Sequence, residues 1–310
     1  MTLDDPIDDL LDVLDLTREG STTFHVASPD GAGADLGDSA GDVFSGRSQP
    51  QAHGRVFGGQ VLAQSVIAAG RTVSGAEGAA DHPRRIHSMH GYFLRAGDDQ
   101  RPIRFLVERM RDGHSFSARR VHAVQDGRIL LSMITSFQDE ADGLDHQSEM
   151  PQVAGPDGLP SDAEILAGID HPAARHLARR AVEIKHVEGA LFLEAGDPVA
   201  QQHVWLRVPR TLPDDPLLHA AVLAYSSDFS LLEPILRRHG LVWGDRRLRP
   251  ASLDHAMWFH RTPRADQWIL YRQASPSAQN GRGLGHGLMF GQDGTLMASV
   301  AQEGMVRVKE

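Results

Sequence analysis

The chain has 310 residues, 41% of them hydrophobic and 23% charged, with a formal net charge of −10 and no cysteine. That is the composition of a soluble globular protein with room for a sizeable core. The acidic balance disfavours non-specific binding to nucleic acid or to an anionic membrane, and the lack of cysteine excludes disulfides, thiolate-bound zinc and a cysteine nucleophile.

The opening run MTLDDPIDDLL is acidic and lacks the basic-then-apolar order of a signal peptide. No apolar stretch is long enough to span a bilayer, so a cytoplasmic protein without stable membrane insertion is expected. Asp5 reads as an N-cap with Pro6 at the first helical position, and Ile7, Leu10, Leu11 and Leu14 fall at helical spacing. Residues 27–54 are rich in Gly, Asp and Ser and read as a flexible loop. VFGGQVLAQSVIAAGRTV is apolar nearly all round and predicts a buried helix. Four strand-like runs follow, RIHSMHGYFLR, PIRFLVERM, SFSARRVHAV and RILLSMITSFQ, with RDG and QDG as hairpin signals between the later ones.

Residues 139–165 lose the pattern among prolines and acids and read as a linker between an N-terminal unit, residues 1–138, and a C-terminal unit, residues 166–310. The second unit repeats the grammar. QHVWLRV reads as a strand. PDDPLLHAAVLAYSSDF reads as a buried helix, again opening Asp-Pro. ASLDHAMWFHR, QWILYRQA, RGLGHGLMF and TLMASVAQEGMVRV read as strands. YFLR at 92–95 matches WFHR at 258–261 and QDG at 125–127 recurs at 292–294, offsets of 166 and 167. Two matches at nearly one spacing indicate a duplicated unit. Each unit is then a curved antiparallel sheet wrapped around one apolar helix, an α+β class.

Several motifs resemble chemistry without supporting it. GDSAG at 37–41 fits the nucleophile-elbow pattern, but that pattern needs a sharp strand-to-helix turn and this one sits in a polar stretch. His87 and His90 in one strand, and His255 and His260 in another, point to opposite faces, so no metal site is expected. GRGLGHG lacks the lysine of a phosphate loop, and its alternate glycines suggest bulges or a close ligand. Asp228 is different. It ends the second buried helix and is followed at once by Phe229, Leu231 and Leu232. A carboxylate placed so has to be exposed by a bend or held by partners. Ser252 in ASLDH is read onto one strand face with Asp254 and Ala256, and Gln302 onto one face with Ala298 and Val300. Taken singly, Ser252 and Gln302 are ordinary satisfied polar residues near a sheet end.

RVFGGQVLAQS, IHSMHGYFLRAGD, RDGHSFSARRV, AYSSDFSLL, ASLDHAMWFHR and LMASVAQEGMVR together resemble the type II acyl-CoA thioesterases, the TesB-like double-hotdog family, from about Val56 to Arg307. The resemblance implies a tandem hotdog fold and hydrolysis of fatty acyl-CoA, with no cofactor beyond the CoA thioester itself. It implies that Asp228, Ser252 and Gln302 hold a water that attacks the thioester directly. The family often has Thr at position 252; serine keeps the hydroxyl on a freer rotamer. A family histidine maps onto His87, with a minor or structural role. Phe229, Leu231, Leu232, Met257 and Trp258 are expected to wall an acyl tunnel, and Arg282 with Arg246, Arg247 and Arg249 to meet the CoA phosphates. A homo-oligomer, dimer or tetramer, is implied as well. Two other readings compete. A hotdog enoyl-CoA hydratase or dehydratase would need an acting Asp-His pair, yet Asp254 and His255 are adjacent in a strand and face apart. A non-catalytic acyl-CoA binder would be indifferent to Asp228→Asn.

Overall fold

The computed structural model describes residues 5–25, 38–73, 84–170, 172–192 and 194–309. In chain order the elements are α1 (Pro6–Leu14), β1 (Thr17–His25), β2 (Asp38–Gly46), α2 (Gly58–Val73), β3 (Arg85–Phe93), β4 (Ile103–Asp112), β5 (Phe116–Gln125), β6 (Arg128–Gln138), α3 (Asp162–Leu166), α4 (Pro172–Leu177), β7 (Glu183–His186), β8 (Gln201–Arg207), α5 (Pro216–Ser227), α6 (Glu233–Arg238), β9 (Leu248–Ser252), β10 (Asp254–Phe259), β11 (Ile269–Gln279), β12 (Arg282–Gly291) and β13 (Leu296–Val308).

The helix starts follow local chemistry. Asp5 accepts the amide of Ile7 at 2.7 Å and Asp215 that of Leu217 at 2.9 Å, each just before a proline with no N–H to lose. Between β5 and β6, Asp126 and Gly127 take φ of 49° and 72°, the left-handed pair a two-residue hairpin turn needs. Asn280 and Gly281 repeat it between β11 and β12, with φ of 51° and 72°.

The strands form one antiparallel sheet in the order β1-β2-β4-β5-β6-β3-β10-β13-β12-β11-β8-β7, with β9 also paired to β13. Each duplicated unit contributes one half, and β3 joins β10 at the middle, with His90 opposite Ala256. Inside lie α2 and α5, almost wholly buried. They run antiparallel: Gly59 at the start of α2 meets the carbonyl of Tyr225 near the end of α5, and Gly70 near the end of α2 meets Leu217 at the start of α5. A Cβ on Gly59 would stand 2.5 Å from that carbonyl oxygen, so glycine is what lets the backbones approach.

Two expectations change. Residues 38–46, read from composition as part of a loop, form β2 between β1 and β4; residues 27–37 of that loop fall outside the described residues. Ser39 of GDSAG therefore sits in a strand, its hydroxyl donating to Glu108 at 2.6 Å. Residues 139–160 carry no helix or strand, but α3 begins at Asp162, inside the expected linker. This segment is tied down: Trp205 donates to the carbonyl of Ala154 at 2.8 Å, and Met150, Val153 and Leu159 pack against Trp205, Trp268 and Phe290 on the outside of the second half-sheet.

Candidate active site

Asp228 is the C-cap of α5. Because α5 runs against α2, that C-terminus arrives at the first turn of α2. A Cβ on Gly58 would lie 2.7 Å from Oδ2 of Asp228, and the amide N–H of Gly59 bonds the carboxylate. Two strands of the second half-sheet supply the other partners. Gln302 of β13 donates from Nε2 to Oδ1 of Asp228 at 2.8 Å and to Oγ of Ser252 at 2.6 Å. The Ser252 hydroxyl stands 3.4 Å from the same Oδ1, long for an O–H to oxygen bond, so its proton is available to another acceptor. Asp228, Ser252 and Gln302, expected together, are together.

The electrostatics are those of an enclosed acid. Burial pushes the Asp228 carboxyl up to about 6, against the opposing pull of Gln302, the Gly59 amide and Ser252. Asp228 and Ser252 keep a partly exposed edge, while Gln302 is 1% exposed. Tyr271 of β11 lies behind the site, donating to the carbonyl of Ser227 at 3.2 Å, with its phenol pushed further toward the neutral form by burial and by the Asp228 charge.

Ser252 reaches the trio by a route that strict alternation does not predict. On β13, Ser252 of β9 pairs with Gly304 and Ala256 of β10 pairs with Ala301. The two registers differ by one residue, so one residue bulges between the strands, and side-chain alternation reverses across it. The chain adapts locally: Leu253 N–H donates to the Glu303 carbonyl at 2.9 Å, and Asp254 accepts the Glu303 N–H at 2.7 Å. Ser252 therefore does not share a face with Asp254 and Ala256 as expected. It joins His255, whose ring is fully buried beside Gln302, with Nδ1 2.9 Å from Oε1.

The remaining expected residues separate. His87 lies elsewhere, its Nε2 2.8 Å from the Ser136 hydroxyl and its ring edge-on to Phe116, in contact with none of the trio. Trp258 is no tunnel wall. Past the bulge the even-numbered side chains of β10 face outward, so Trp258 is 39% exposed against His90 on the outer face. Met257 points inward and is fully buried in the core. Phe229 stacks on Phe57 at 4.8 Å and meets Tyr225 edge-on at 5.2 Å, with the Arg180 guanidinium 4.4 Å over its ring. Leu231 and Leu232 are buried against the glycines of β12 and β13, Leu231 at Gly285 and Leu232 at Gly304. Arg282 is paired with Glu303 at 3.0 Å, Arg247 with Asp245 at 2.8 Å, and Arg249 bonds the carbonyls of Arg246 and Leu248. The sequence reading missed Gly58, Gly59 and His255. The doubled glycine before an apolar helix was the available signal for the first two.

A family model described as "Acyl-CoA thioesterase" matches residues 174–305, and one described as "Acyl-CoA thioesterase N-terminal domain" matches residues 46–138, one in each half. The chain is 38% identical over 285 residues to acyl-coenzyme A thioesterase 8 of Homo sapiens, covering 86% of this chain and 85% of that protein. It is 34% identical over 273 residues to acyl-CoA thioesterase 2 of Haemophilus influenzae, covering 86% and 93%. Among solved structures it resembles the acyl-CoA thioesterase II TesB2 of Mycobacterium marinum, with TM-score 0.73, 39% identity and 97% and 99% of the chains covered. A hotdog-fold protein of Alicyclobacillus acidocaldarius shares the fold at TM-score 0.71 and 16% identity, covering 97% and 98%.

Proposed function

The chain belongs to the acyl-CoA thioesterase family and hydrolyses acyl-CoA, and from that premise we propose that a water held by Asp228, Ser252 and Gln302 attacks the thioester carbonyl directly. Asp228 takes a proton from the water as its oxygen bonds to the carbonyl carbon. The tetrahedral intermediate collapses with cleavage of the C–S bond. The thiolate of CoA, whose conjugate thiol has a pKa of about 8.5, leaves near neutrality and recovers the proton held on Asp228. Ser252 and Gln302 orient the water. The developing oxyanion is read to the amides of the first turn of α2, where the helix dipole and backbone N–H groups favour negative charge. Asp228 remains ionised enough at neutral pH to accept a proton, and its raised basicity makes it a better base than an exposed aspartate. No metal or cofactor enters this sequence of steps.

The observation that carries the reading is the meeting of carboxylate, hydroxyl and amide, contributed from α5, β9 and β13, within 3.4 Å of one another beside the start of α2. Fatty acyl groups are the proposed acyl class, lying against the Phe57, Phe93 and Phe229 rings that border this point. For the CoA phosphates, a cleft of about 720 Å³ is lined by Arg95, Arg101 and Arg128 with Asp98 and Asp126. Its lining residue Arg95 follows two residues after Phe93, whose N–H donates to the carbonyl of Leu253, the neighbour of Ser252, at 2.9 Å. Arg101 is committed to both acids, whereas among the described residues Arg95 bonds a backbone carbonyl and neither Arg95 nor Arg128 has a carboxylate partner, so they offer more available charge than Arg282. Tyr92, Ile134 and Trp258, exposed on the adjacent strands β3, β6 and β10, support self-association into a dimer or tetramer. Among the described residues no helix is long and apolar enough to cross a membrane.

The test is CoA thiol release by Asp228→Asn, alongside acyl-CoA binding by calorimetry. The reading requires turnover to fall on the order of 10²- to 10⁴-fold with binding retained. Hydrolysis at the wild-type rate would end it.

A further inference from the structure

Gln302 serves the trio in one orientation only. Its Nε2 donates toward Asp228 and Ser252, at 2.8 and 2.6 Å, so its Oε1 faces away from both. There it meets Nδ1 of His255 at 2.9 Å. An amide oxygen only accepts, so Nδ1 carries the proton. Burial keeps the ring neutral, pushing it down to about 4 against the opposing effect of the Gln302 bond. Nε2 is then the acceptor, 2.9 Å from the Ser227 hydroxyl, whose proton it shares with the carbonyl of Ala224 at 2.8 Å. The Gln302 oxygen thus sets the tautomer, and the Ser227 hydroxyl, able to donate or accept, holds the other edge of the ring.

We propose that His255 is a positioning residue for thioester hydrolysis, its Nδ1–H pinning the Gln302 carboxamide with the nitrogen toward Asp228 throughout the catalytic cycle. This rests on the trio being the catalytic centre. While Asp228 is ionised, its charge alone holds the amide nitrogen. Once Asp228 has taken the proton from water, a neutral carboxyl donates to an amide oxygen as readily as it accepts from the nitrogen. A Gln302 free to turn would then present Oε1, withdraw its donor from Ser252, and hold on Asp228 the proton that the departing thiolate needs. His255 removes that option, because a turned amide would set its NH₂ against Nδ1–H.

The duplication supplies an internal control. At the offsets of 166 and 167, His255 and Gln302 correspond to Met89 and Thr135, which are opposite each other on β3 and β6 and fully buried. The fold therefore accepts an apolar residue at this point in the first half, where the sequence after α2 continues Ser74-Gly75 with no aspartate directly following the helix as Asp228 follows α5. The histidine accompanies the trio, and packing alone does not require it.

Among the described residues, the groups bonded to the carboxylate are the Gly59 amide of α2, the Ser252 hydroxyl of β9 and the Gln302 amide of β13. Tyr271 on β11 is held neutral, and Asp254 on β10 is turned onto the Glu303 amide. Glu303 itself is paired with Arg282. Asp228 is accordingly the group whose titration a loosened Gln302 would move.

The experiment compares His255→Met and His255→Asn with Asp228→Asn in thiol-release assays across pH. His255→Met is expected to lower kcat on the order of 10- to 100-fold with KM within about twofold, as misorientation in place of lost binding demands. It should also move the acid limb of the kcat profile to higher pH, because a Gln302 free to turn accepts from the protonated carboxyl and stabilises that form. His255→Asn, whose side-chain NH₂ stands near the place of Nδ1–H, should recover most of the rate and the limb. Wild-type kcat and profile in His255→Met, with Asp228→Asn inactive, would overturn the positioning role and leave the trio intact. Wild-type turnover in Asp228→Asn would remove the trio, and this role with it. Should His255→Met fail to fold, His255→Asn is compared with His255→Gln, which places its donor at the Nε2 end; equal rates of those two overturn the proposal.

Discussion

The acid at the end of α5 should make the protein less stable than its Asp228→Asn variant, and by an amount that depends on pH. Burial raises the Asp228 carboxyl from 3.8 to about 6. At low pH folded and unfolded chains both hold this proton, and no penalty exists. As pH rises through 3.8 the unfolded chain releases it while the folded chain keeps it, and the penalty grows until the folded group ionises near 6. A difference of about two units corresponds to at most about 3 kcal/mol, less to the extent that water reaches the open edge of the carboxylate. Asp228→Asn cannot titrate. Its stability relative to wild type should therefore rise by about 2 to 3 kcal/mol between about pH 4 and pH 8, and level off above that. Urea denaturation of both proteins at matched pH measures this, and the change with pH separates ionisation from any constant effect of the amide. A stability difference that stays flat across the range would refute the claim that Asp228 is held as an enclosed acid. A difference that falls as pH rises would reverse the sign and point to a carboxylate stabilised by its partners.

Other consequences follow from the same coordinates. The kcat/KM profile should rise with pH through about 6 as the base ionises, and Gln302→Ala should move that limb upward by removing the strongest donor to it; an unmoved limb would argue that another group titrates. Gly59→Ala forces a methyl to 2.5 Å from the Tyr225 carbonyl and should destabilise the protein by about 1 to 3 kcal/mol, read as a lower melting temperature, because backbone has to shift between α2 and α5. His186 is clamped in the second half between Asp162 at 3.0 Å and Glu233 at 2.9 Å. Burial works against its charge, but the two acids raise it from 6.5 to about 10. His186→Leu should cost about 3 to 5 kcal/mol in chemical denaturation by leaving both carboxylates unpaired. That loss should be full below about pH 6.5 and shrink as pH climbs through about 10, where wild type itself loses the charge.

The sequence by itself determined what depends on neighbours in the chain. Asp5-Pro6 and Asp215-Pro216 start helices because cap and ring act within one turn. The unbroken apolar runs of α2 and α5 require enclosure, and the matches between YFLR and WFHR reveal two copies of one unit. The names of the trio came through the motifs around Asp228, Ser252 and Gln302. Tertiary structure alone decided the rest. Residues 38–46 have a loop-like composition, yet they form a strand because β1 and β4 supply partners on both sides. A single extra residue between Ser252 and Ala256 reverses side-chain alternation, turning Trp258 out to the surface and bringing Ser252 and His255 in toward Gln302. No spacing rule reads such a bulge, because it exists only in the register of β9 and β10 against β13. The raised pKa of Asp228 is likewise no property of the SSDF run; it comes from burial in the folded chain, where the Gly59 amide of α2, more than 150 residues away in sequence, bonds the carboxylate and pulls the other way.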